Sequence, residues 1–508
     1  MARCRRVPEL EGVDSAHGHV STLETSYADV IVVGGGSCGS VVASRASANP
    51  DCRVVLLESG PGLSSDGTYP PEILNAHVLP VGPSSPWTSS YRAELTPEIT
   101  RWISRGRVLG GSGAVNGGYF VRGRPQDFDA WPASWSYDEV LPYFLKSETD
   151  LDFSGEWHGR GGPMPVARTP RGAQNEITKL FHDAAMALGY PGDPDMNDPS
   201  SFGGMGAVPL NVVDGRRVNA AAAYLLPVLD RSNLDVLTES TVVAVLFDRT
   251  RATGVEVIRK GHVSRFMAPS VVLCAGSVRT PQLLMLSGVG PADHLVEKGV
   301  PVVLDHPYVG RDFSDHPEVG VCYRTPIQSE LASPLQEVLH VDDLEIRPYT
   351  AAFDRLIPGL PIGDPMIGVG LMRSDSRGDI RLVSTDPTVS PLVKYRYLES
   401  VGDRRAVQAG LDRVAELLGR LSRSCPIEIL DDLGDPLSSR LGTSLHLSGS
   451  CAMGNDNSVL DDRLQVRGLE GLMVADTSAF PVVPTRGPHA TAVMLAERAA
   501  AMLSASAT

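Results

Sequence analysis

The sequence predicts an α/β fold, and two stretches of the chain carry that prediction. Near the N-terminus, an apolar run at 30–33, a small-residue stretch at 40–48 and a second apolar run at 52–57 have the order strand, helix, strand. Further along, residues 320–440 combine alternating strands with an amphipathic helix at about 404–421. The first stretch therefore predicts a Rossmann-like βαβ unit, and the second predicts a separate α+β part with its own sheet.

Three glycines follow the first predicted strand at G-x-G-x-x-G spacing. Gly34 allows a tight turn, Gly36 lets a pyrophosphate approach the backbone, and Gly39 lets the helix pack closely on the strand. The start of that helix would then face the phosphates with unpaired N–H groups. Glu58 ends the second strand 19 residues after Gly39, where a carboxylate can bind ribose hydroxyls. The unit predicts dinucleotide binding but does not separate FAD from NAD.

Composition excludes several classes of protein. The 508 residues are 42% hydrophobic and 21% charged, which is ordinary for a globular chain and excludes wholesale disorder. No apolar run approaches the ~20 residues of a membrane-spanning helix. A net charge of −15 makes nucleic acid an unfavourable partner.

The cysteines and the N-terminal residues predict the cellular compartment of the protein. Seven scattered cysteines without a CxxC pair, and the lack of a His, Asp or Glu group with ligand spacing, predict a reducing compartment and no metal. Residues 1–27 lack the apolar segment of a signal peptide, so we interpret them as a flexible N-terminal extension, with an N-terminal arm packed on the domain as the alternative, and expect a cytoplasmic protein.

Several further stretches fit the two-part interpretation. Residues 60–102 are rich in Pro, Ser and Gly and predict a long excursion over the surface. The glycine cluster at 103–118 indicates either backbone pressed against a flat group or a multi-turn loop. Residues 234–257 predict three strands of an antiparallel meander, and the Ala-rich stretch at 489–503 predicts a helix.

Six separated motifs, in the same order along the chain, resemble the glucose–methanol–choline (GMC) oxidoreductase family. The resemblance spans residues from about 28 to 503. The motifs are the N-terminal glycine fingerprint with Glu58-Ser59-Gly60, the glycine loop at 107–112, the helix region at 275–290, the Gly310-Arg311-Asp312-Phe313-Ser314-Asp315-His316-Pro317 segment, the block at 446–454, and Asp476 with the helix that begins at His489.

The resemblance implies FAD as the cofactor, together with a particular domain division. It implies a Rossmann-like FAD-binding domain built from the discontinuous segments 28–155, 205–315 and 442–508. It also implies an α+β substrate-binding domain with an antiparallel sheet, built from residues 156–204 and 316–441.

Two histidines are the candidate catalytic residues. His446 matches the family position of the base that removes the hydroxyl proton while hydride leaves carbon for flavin N5, and imidazole suits this role near neutral pH. His489 matches a second position, where it would hydrogen-bond the substrate oxygen. A structural or helix-capping role is the alternative for both residues. His316 is interpreted as structural.

The resemblance also implies a set of contacts to FAD. For Asp476 a strand-end turn, and for Val242 a place in the sheet core, are equally compatible with the sequence. Some members attach FAD covalently through a histidine before the loop asparagine, where this chain has Val115, so we predict non-covalent FAD. The predicted FAD-binding residues are Gly34, Gly36, Ser37, Gly39, Glu58, Arg107, Gly110, Gly111, Asn116, Val242, Asp476 and Ala490.

The predicted activity is oxidation of a small alcohol-type CH–OH donor, with electrons passing to O2, a quinone-type carrier or a partner protein. The Arg/Ala/Gly bias and the motif at 446–450 are similar to actinobacterial members associated with the peptide cofactor mycofactocin. That branch implies reduced mycofactocin as donor, the respiratory chain as acceptor and a place at the membrane periphery. The alternatives are a hydroxynitrile lyase on the same FAD scaffold and a flavin-binding protein without catalysis.

Overall fold

The computed structural model describes residues 24–64, 67–328, 330–431, 433 and 440–506. The predicted helices at 40–48, 404–421 and 489–503 are confirmed, each within a few residues of the predicted bounds. The helices are α1 (Ser37–Ala46), α2 (Pro71–Leu74), α3 (Tyr137–Ser147), α4 (Glu176–Ala187), α5 (Gly276–Leu286), α6 (Ala292–Glu297), α7 (Phe353–Leu356), α8 (Val401–Leu421) and α9 (His489–Ser506).

The strands are short and numerous, and they form several sheets. They are β1 (Glu24–Tyr27), β2 (Val30–Val33), β3 (Val54–Leu57), β4 (Thr88–Glu94), β5 (Thr100–Gly106), β6 (Glu148–Asp150), β7 (Met164–Val166), β8 (Gly204–Ala207), β9 (Val212–Val213), β10 (Arg216–Arg217), β11 (Leu234–Leu237), β12 (Ser240–Asp248), β13 (Arg251–Arg259), β14 (His262–Met267), β15 (Ser270–Leu273), β16 (Val289–Gly290), β17 (Leu304–Asp305), β18 (Arg311–Phe313), β19 (Pro317–Arg324), β20 (Glu337–Val341), β21 (Leu344–Pro348), β22 (Met366–Leu371), β23 (Gly378–Arg381), β24 (Leu392–Lys394), β25 (Glu428–Ile429), β26 (Leu441–Thr443) and β27 (Leu472–Val474).

A five-stranded parallel sheet forms the Rossmann-like part of the molecule. Its order is β11-β3-β2-β15-β27, and every neighbouring pair runs parallel. Strands β2, β3 and β15 are apolar β-branched and leucine runs that are almost fully buried, as strands covered on both faces must be. Helix α1 packs against both β2 and α9. This arrangement confirms the predicted βαβ unit.

The strand at 234–237 does not belong to the antiparallel meander in which we predicted it. As β11 it pairs parallel with β3, in the register Leu234 to Val54. Glu239 takes a left-handed φ of 54°, which turns the chain out of the parallel sheet before β12 begins. Local strand propensity therefore identified the strand but not its partner.

The remaining meander is confirmed and gains a strand from the N-terminal segment. Strands β12, β13 and β14 pair antiparallel, and β1 pairs parallel with β14. The predicted flexible extension 1–27 is therefore wrong for Glu24–Tyr27, because their backbone groups find partners along β14. Residues 1–23 lie outside the described part of the chain.

A second, antiparallel sheet faces the parallel one across the molecule's main cavity. Its order is β25-β19-β22-β21-β20-β8, with β26 also paired to β19, and α8 packs on β21 and β22. This confirms the predicted sheet of the substrate side. The predicted boundary between residues 204 and 205 falls inside β8, and the domain division as a whole stays a prediction.

The stretch at 60–102 is more ordered than we predicted. It contains β4, which forms a hairpin with β5 in a sheet of order β18-β23-β24-β4-β5. The sequence of β4 lacks the apolar run typical of a buried strand, because only alternate residues of β4 face inward. Among the described helices, none has both the length and the apolar character needed to cross a membrane.

Candidate active site

One cavity of about 1420 Å³ joins the carboxyl ends of the parallel strands to the antiparallel sheet. It brings together most of the residues that the sequence predicted. Gly39, Gly110 and Ala490 are absent from its lining. The predicted residues that line it are Gly34, Gly36, Ser37, Glu58, Arg107, Gly111, Asn116, Val242, Asp476, His446 and His489.

The first glycine turn is shaped by close backbone approaches. Gly34 has a φ of +102°, and a Cβ there would lie 2.5 Å from the carbonyl oxygen of Cys274. A Cβ on Gly39 would overlap the carbonyl oxygen of Gly34, so Gly39 seats α1 against β2 without facing the cavity. Gly36, the N-cap of α1, has no side-chain cap. The first N–H groups of α1 are therefore available to an anionic group.

Glu58 is fixed at the end of β3. Its Oε2 accepts a hydrogen bond of 2.8 Å from the N–H of Gly35, and its Oε1 accepts one of 2.7 Å from the N–H of Gly60. Burial raises the pKa of Glu58, although these N–H groups and the Arg107 charge oppose that rise. The carboxylate lines the cavity in a set orientation, as a ribose-binding group requires.

The second glycine cluster touches the first. Gly110 and Gly111 both have positive φ, and a Cβ on Gly111 would lie 2.7 Å from the Cα of Gly36. A Cβ on Gly110 would strike the Asn219 side chain, so Gly110 contributes to packing. Gly36 and Gly111 both line the cavity, and we call the wall that the two glycine turns form the glycine cradle. Of the two alternatives that the sequence left open, contact with a flat group stays a prediction.

Asp476, Val242 and Ala490 differ in how directly they meet the cavity. Both carboxylate oxygens of Asp476 accept protein donors: the N–H of Gly276 at 2.8 Å, the Thr280 hydroxyl at 2.6 Å, and the N–H and hydroxyl of Ser478 at 2.8 and 2.6 Å. Asp476 thus organises the turn in which α5 begins. Val242 lies on β12 at the cavity wall, whereas Ala490 is fully buried in α9.

His446 lies against a second imidazole. Its Nδ1 is 2.8 Å from Nδ1 of His316, and the rings meet edge to face at 87°. Burial, His316 and Arg347 together hold the pKa of His446 well below its ordinary value. Burial lowers the pKa of His316 to about 3. Both rings are therefore neutral near pH 7, and they share one hydrogen between their Nδ1 atoms.

Asp315 holds the backbone of both histidines. Its Oδ1 accepts the N–H of His316 at 2.7 Å and the N–H of His446 at 2.8 Å, while its Oδ2 accepts the Thr443 hydroxyl at 2.8 Å. Residue Leu445, just before His446, has a φ of +62°, so His446 follows a constrained turn. No role for Asp315 was predicted from the sequence. Its place in the motif at 310–317 was the available signal.

His489 begins α9 and faces the glycine cradle. Its Nε2 is 3.1 Å from the Ser37 hydroxyl, and its Nδ1 is 3.5 Å from the Asn116 amide nitrogen. Burial lowers the pKa of His489 to about 4. The ring nitrogens therefore engage residues predicted to bind FAD. His489 thus lines the cavity and is not a surface residue, while its hydrogen bond to the substrate oxygen stays a prediction.

The loop before α9 brings the two histidines into one wall of the cavity. A Cβ on Gly487, two residues before His489, would lie 3.8 Å from Cε1 of His446 and 2.7 Å from the ring of Tyr119. Histidines 43 positions apart in sequence thus line the same cavity.

These residues fit a bound FAD. The uncapped start of α1 and the two glycine turns form a cradle that side chains would fill, and Glu58 stands at the strand end beside it. The cavity continues from this cradle to the two histidines. FAD has its nucleotide at one end and its flavin ring at the other, so it requires one continuous cavity.

A further polar cluster lies away from the cavity lining. Ligand atoms of Glu148, Asp150 and His158 lie within 4.8 Å of one another. Arg122 bonds Glu148 at 2.5 Å and Arg168 bonds Asp150 at 3.0 Å, so guanidinium groups already balance these carboxylates. The expectation that the protein uses no metal stays a prediction.

A parallel Rossmann-like sheet, two glycine turns and a histidine-lined cavity define a nucleotide-cofactor enzyme. Models of the GMC oxidoreductase family match residues 28–318 and 374–496. The chain belongs to the GMC oxidoreductase family, whose members are FAD-dependent enzymes that act on CH–OH donors.

Individual relatives extend the comparison. An uncharacterized GMC-type oxidoreductase of Rhodococcus erythropolis is 49% identical over 488 residues, 94% of this chain and 99% of its own. An oxygen-dependent choline dehydrogenase of Chromohalobacter salexigens is 32% identical over 527 residues, covering 93% of this chain and 94% of its own. The solved pyridoxine 4-oxidase from Mesorbium loti has a TM-score of 0.85 at 28% identity, covering 93% of this chain and 98% of that one.

Proposed function

We propose that the protein is an FAD-dependent dehydrogenase or oxidase that converts a small alcohol to the carbonyl compound, with His446 as the base. The observation that carries this proposal is the pairing of the His446 and His316 Nδ1 atoms at 2.8 Å, inside the cavity that also holds the glycine cradle. The FAD-binding residues we propose are those predicted from the sequence, with Gly39, Gly110 and Ala490 acting through packing.

The pairing selects the nitrogen that takes the proton. Nε2 of His316 is buried and makes no hydrogen bond within the described residues, so the ring bonds through its Nδ1. We assign the hydrogen between the two rings to Nδ1 of His446, with Nδ1 of His316 as the acceptor. Nδ1 of His446 then carries the shared hydrogen. Its Nε2, for which the described residues provide no partner, is left as a lone pair towards the substrate.

In the reaction, Nε2 of His446 removes the hydroxyl proton as a C–H bond of the alcohol breaks. When bound, FAD supplies the acceptor for the hydride, which carries away two electrons. The low pKa of His446 keeps the imidazole neutral before the substrate binds. His489 orients the alcohol beside the cradle, and Asp315 holds the His446 backbone. The alcohol loses one proton and one hydride, and the carbonyl product keeps all its other atoms, so charge and electrons balance.

Anaerobic mixing tests this function. The FAD-loaded protein is mixed without oxygen with a panel of primary alcohols, sugars and reduced mycofactocin, and the yellow absorbance of the flavin is followed. We expect at least one donor to bleach it and to yield an equal amount of carbonyl product. Cleavage of an added cyanohydrin to aldehyde and cyanide, with fully oxidised flavin, would instead support the hydroxynitrile-lyase alternative. Reoxidation by O2, a quinone or a partner protein then identifies the acceptor.

A further inference from the structure

The substrate end of the cavity contains a charged cluster on the antiparallel sheet. Glu318 on β19 and Glu345 and Arg347 on β21 all line the cavity; we call them the Glu318–Arg347–Glu345 cluster. Ser444, two residues before His446, donates a hydrogen bond of 2.8 Å to Oε2 of Glu318. The cluster therefore adjoins the candidate base.

Every oxygen of Glu318 is already bonded within the protein. Tyr349 donates its hydroxyl to Oε1 at 2.7 Å, while Ser444 and Nη1 of Arg347 donate to Oε2. Glu318 is only about a tenth exposed. A cationic substrate would have to displace at least one of these donors in order to reach its charge.

Both carboxylate oxygens of Glu345 also accept hydrogen bonds from within the protein. Its Oε1 accepts from Nε of Arg347 at 2.6 Å, and its Oε2 accepts from the Tyr119 hydroxyl and from Nε2 of His340, each at 2.6 Å. Burial disfavours its charge, yet Arg347 and His340 hold the pKa of Glu345 well below its ordinary value. The carboxylate thus stays charged and stays paired.

The charges of this wall cancel. Arg347 donates to both carboxylates, and Arg486, which is 1% exposed, interacts electrostatically with Glu345. Two guanidinium groups therefore face two carboxylates. Arg105, also in the lining, interacts with the buried carboxylate of Asp315. Among the described residues at this end of the cavity, these groups leave no uncompensated negative charge for a cation.

One part of the cavity wall near the Glu318–Arg347–Glu345 cluster is apolar. It packs against the small core formed by Tyr349, Ala351 and Leu356. A substrate body in this part of the cavity therefore meets hydrocarbon and aromatic surface. The residues of that wall are Leu335, Phe353, Ile357, Leu360 and Met366.

We propose that this end of the cavity selects an uncharged alcohol with an apolar body, and that Arg347 prevents a quaternary ammonium group from binding there. The inference rests on the proposed function and specifies its substrate class. It separates this chain from the relatives named as choline dehydrogenases, with which it shares about a third of its residues.

A pair of isosteric alcohols tests the proposal on the FAD-loaded protein. Choline and 3,3-dimethylbutan-1-ol have nearly the same shape and differ in one positive charge. Dissociation constants are measured from the perturbation of the flavin spectrum, and bleaching rates are measured without oxygen. We expect the neutral alcohol to bind at least ~10-fold more tightly, because choline must be desolvated without a free counter-charge. Equal or tighter binding of choline, or no binding of the neutral alcohol, overturns the proposal.

Variants assign the effect to the cluster. Arg347→Met frees Glu318 and Glu345, and we expect it to shift the binding ratio towards choline by ~10-fold or more. Tyr349→Phe frees one oxygen of Glu318 while the ion pair persists, so we expect a smaller shift in the same direction. Arg423→Met, at an exposed position after α8, is the matched control and should leave the ratio unchanged.

The variants keep the proposal falsifiable even if one fails to fold. If Arg347→Met does not fold or retain FAD, the ratio of choline to neutral-alcohol binding measured for Tyr349→Phe tests the role of the cluster. An unchanged ratio in the folded cluster variants overturns the role of Arg347. Failure of the proposed function is distinguishable, because it would leave the flavin oxidised with every alcohol while the binding ratio still reports on charge selection.

Discussion

At the scale of single residues, the chemistry of the cavity depends on which nitrogen of His446 carries a hydrogen. Nδ1 is committed to His316 at 2.8 Å, and Asp315 fixes the backbone of both residues. A tautomer set in this way leaves one lone pair for the substrate. The pair also explains why His316, which we interpreted as structural, belongs in the account of the reaction as a positioning residue.

The low pKa of His446 predicts an unusual pH profile. Since the folded site disfavours the imidazolium form, the base stays unprotonated as the pH falls through ~6.5, the ordinary histidine pKa. We expect the rate of flavin reduction to stay level from pH 8 to ~6.5 and to decline only in more acidic buffer. Stopped-flow measurement without oxygen gives this profile. An acid limb at or above pH ~7 would contradict the account.

At this scale the sequence identified residues whose surroundings are local, and their functional roles stay predictions. The turn glycines, Glu58 and the two histidines were predicted, because a motif fixes their surroundings within a few positions. It missed Asp315, Glu345 and Arg347, whose partners arrive from distant strands. His316 and His446 are 130 positions apart, so only the fold reveals that their rings meet.

At the scale of elements, packing between α1 and β2 places the glycine cradle. A Cβ on Gly39 would overlap the Gly34 carbonyl, which fixes how closely the helix approaches the strand. The sequence predicted this unit well because each glycine has a backbone task. It predicted β11 and β4 poorly, since pairing partners depend on non-local contacts and β4 is largely polar.

A pair of glycine substitutions tests this packing. We expect Gly39→Ala to lower the free energy of unfolding by about 1–3 kcal/mol through overpacking, and to reduce FAD content. Gly419→Ala, in the exposed part of α8 with nothing within 4 Å of the added Cβ, should raise it by about 0.5–1 kcal/mol. Denaturant unfolding and flavin content measure both effects. A Gly39→Ala protein with normal stability and FAD content would refute the role of this contact.

At the scale of the whole molecule, the cavity lies where the parallel and antiparallel sheets face each other. The sequence predicted these two parts and their sheets, because each has its own hydrophobic pattern. The boundary that it predicted between residues 204 and 205 cuts through β8, and it did not reveal the sheet in which β4 and β5 join β18, β23 and β24. Such joins depend on how segments from both parts of the chain meet in space.

A cofactor held between two sheets should stabilise the whole fold. Valine at position 115 cannot form a covalent bond to flavin, so we expect denaturation and ultrafiltration to release the yellow colour. Returning FAD to the refolded apoprotein at 100 times its dissociation constant should stabilise it by about 2.7 kcal/mol, seen as a higher melting temperature. Colour retained on the denatured protein would contradict the non-covalent prediction.

The most direct test of the central claim is the rate of flavin reduction in His446→Gln. With an alcohol that bleaches the parent protein, we expect this rate to fall by ~10²–10⁴-fold while FAD content is unchanged, because the base is lost and the cradle remains. His262→Gln, on the exposed start of β14, is the matched control and should react at the parent rate. A His446→Gln protein with full FAD content that is reduced as fast as the parent would contradict the assignment of His446 as the base.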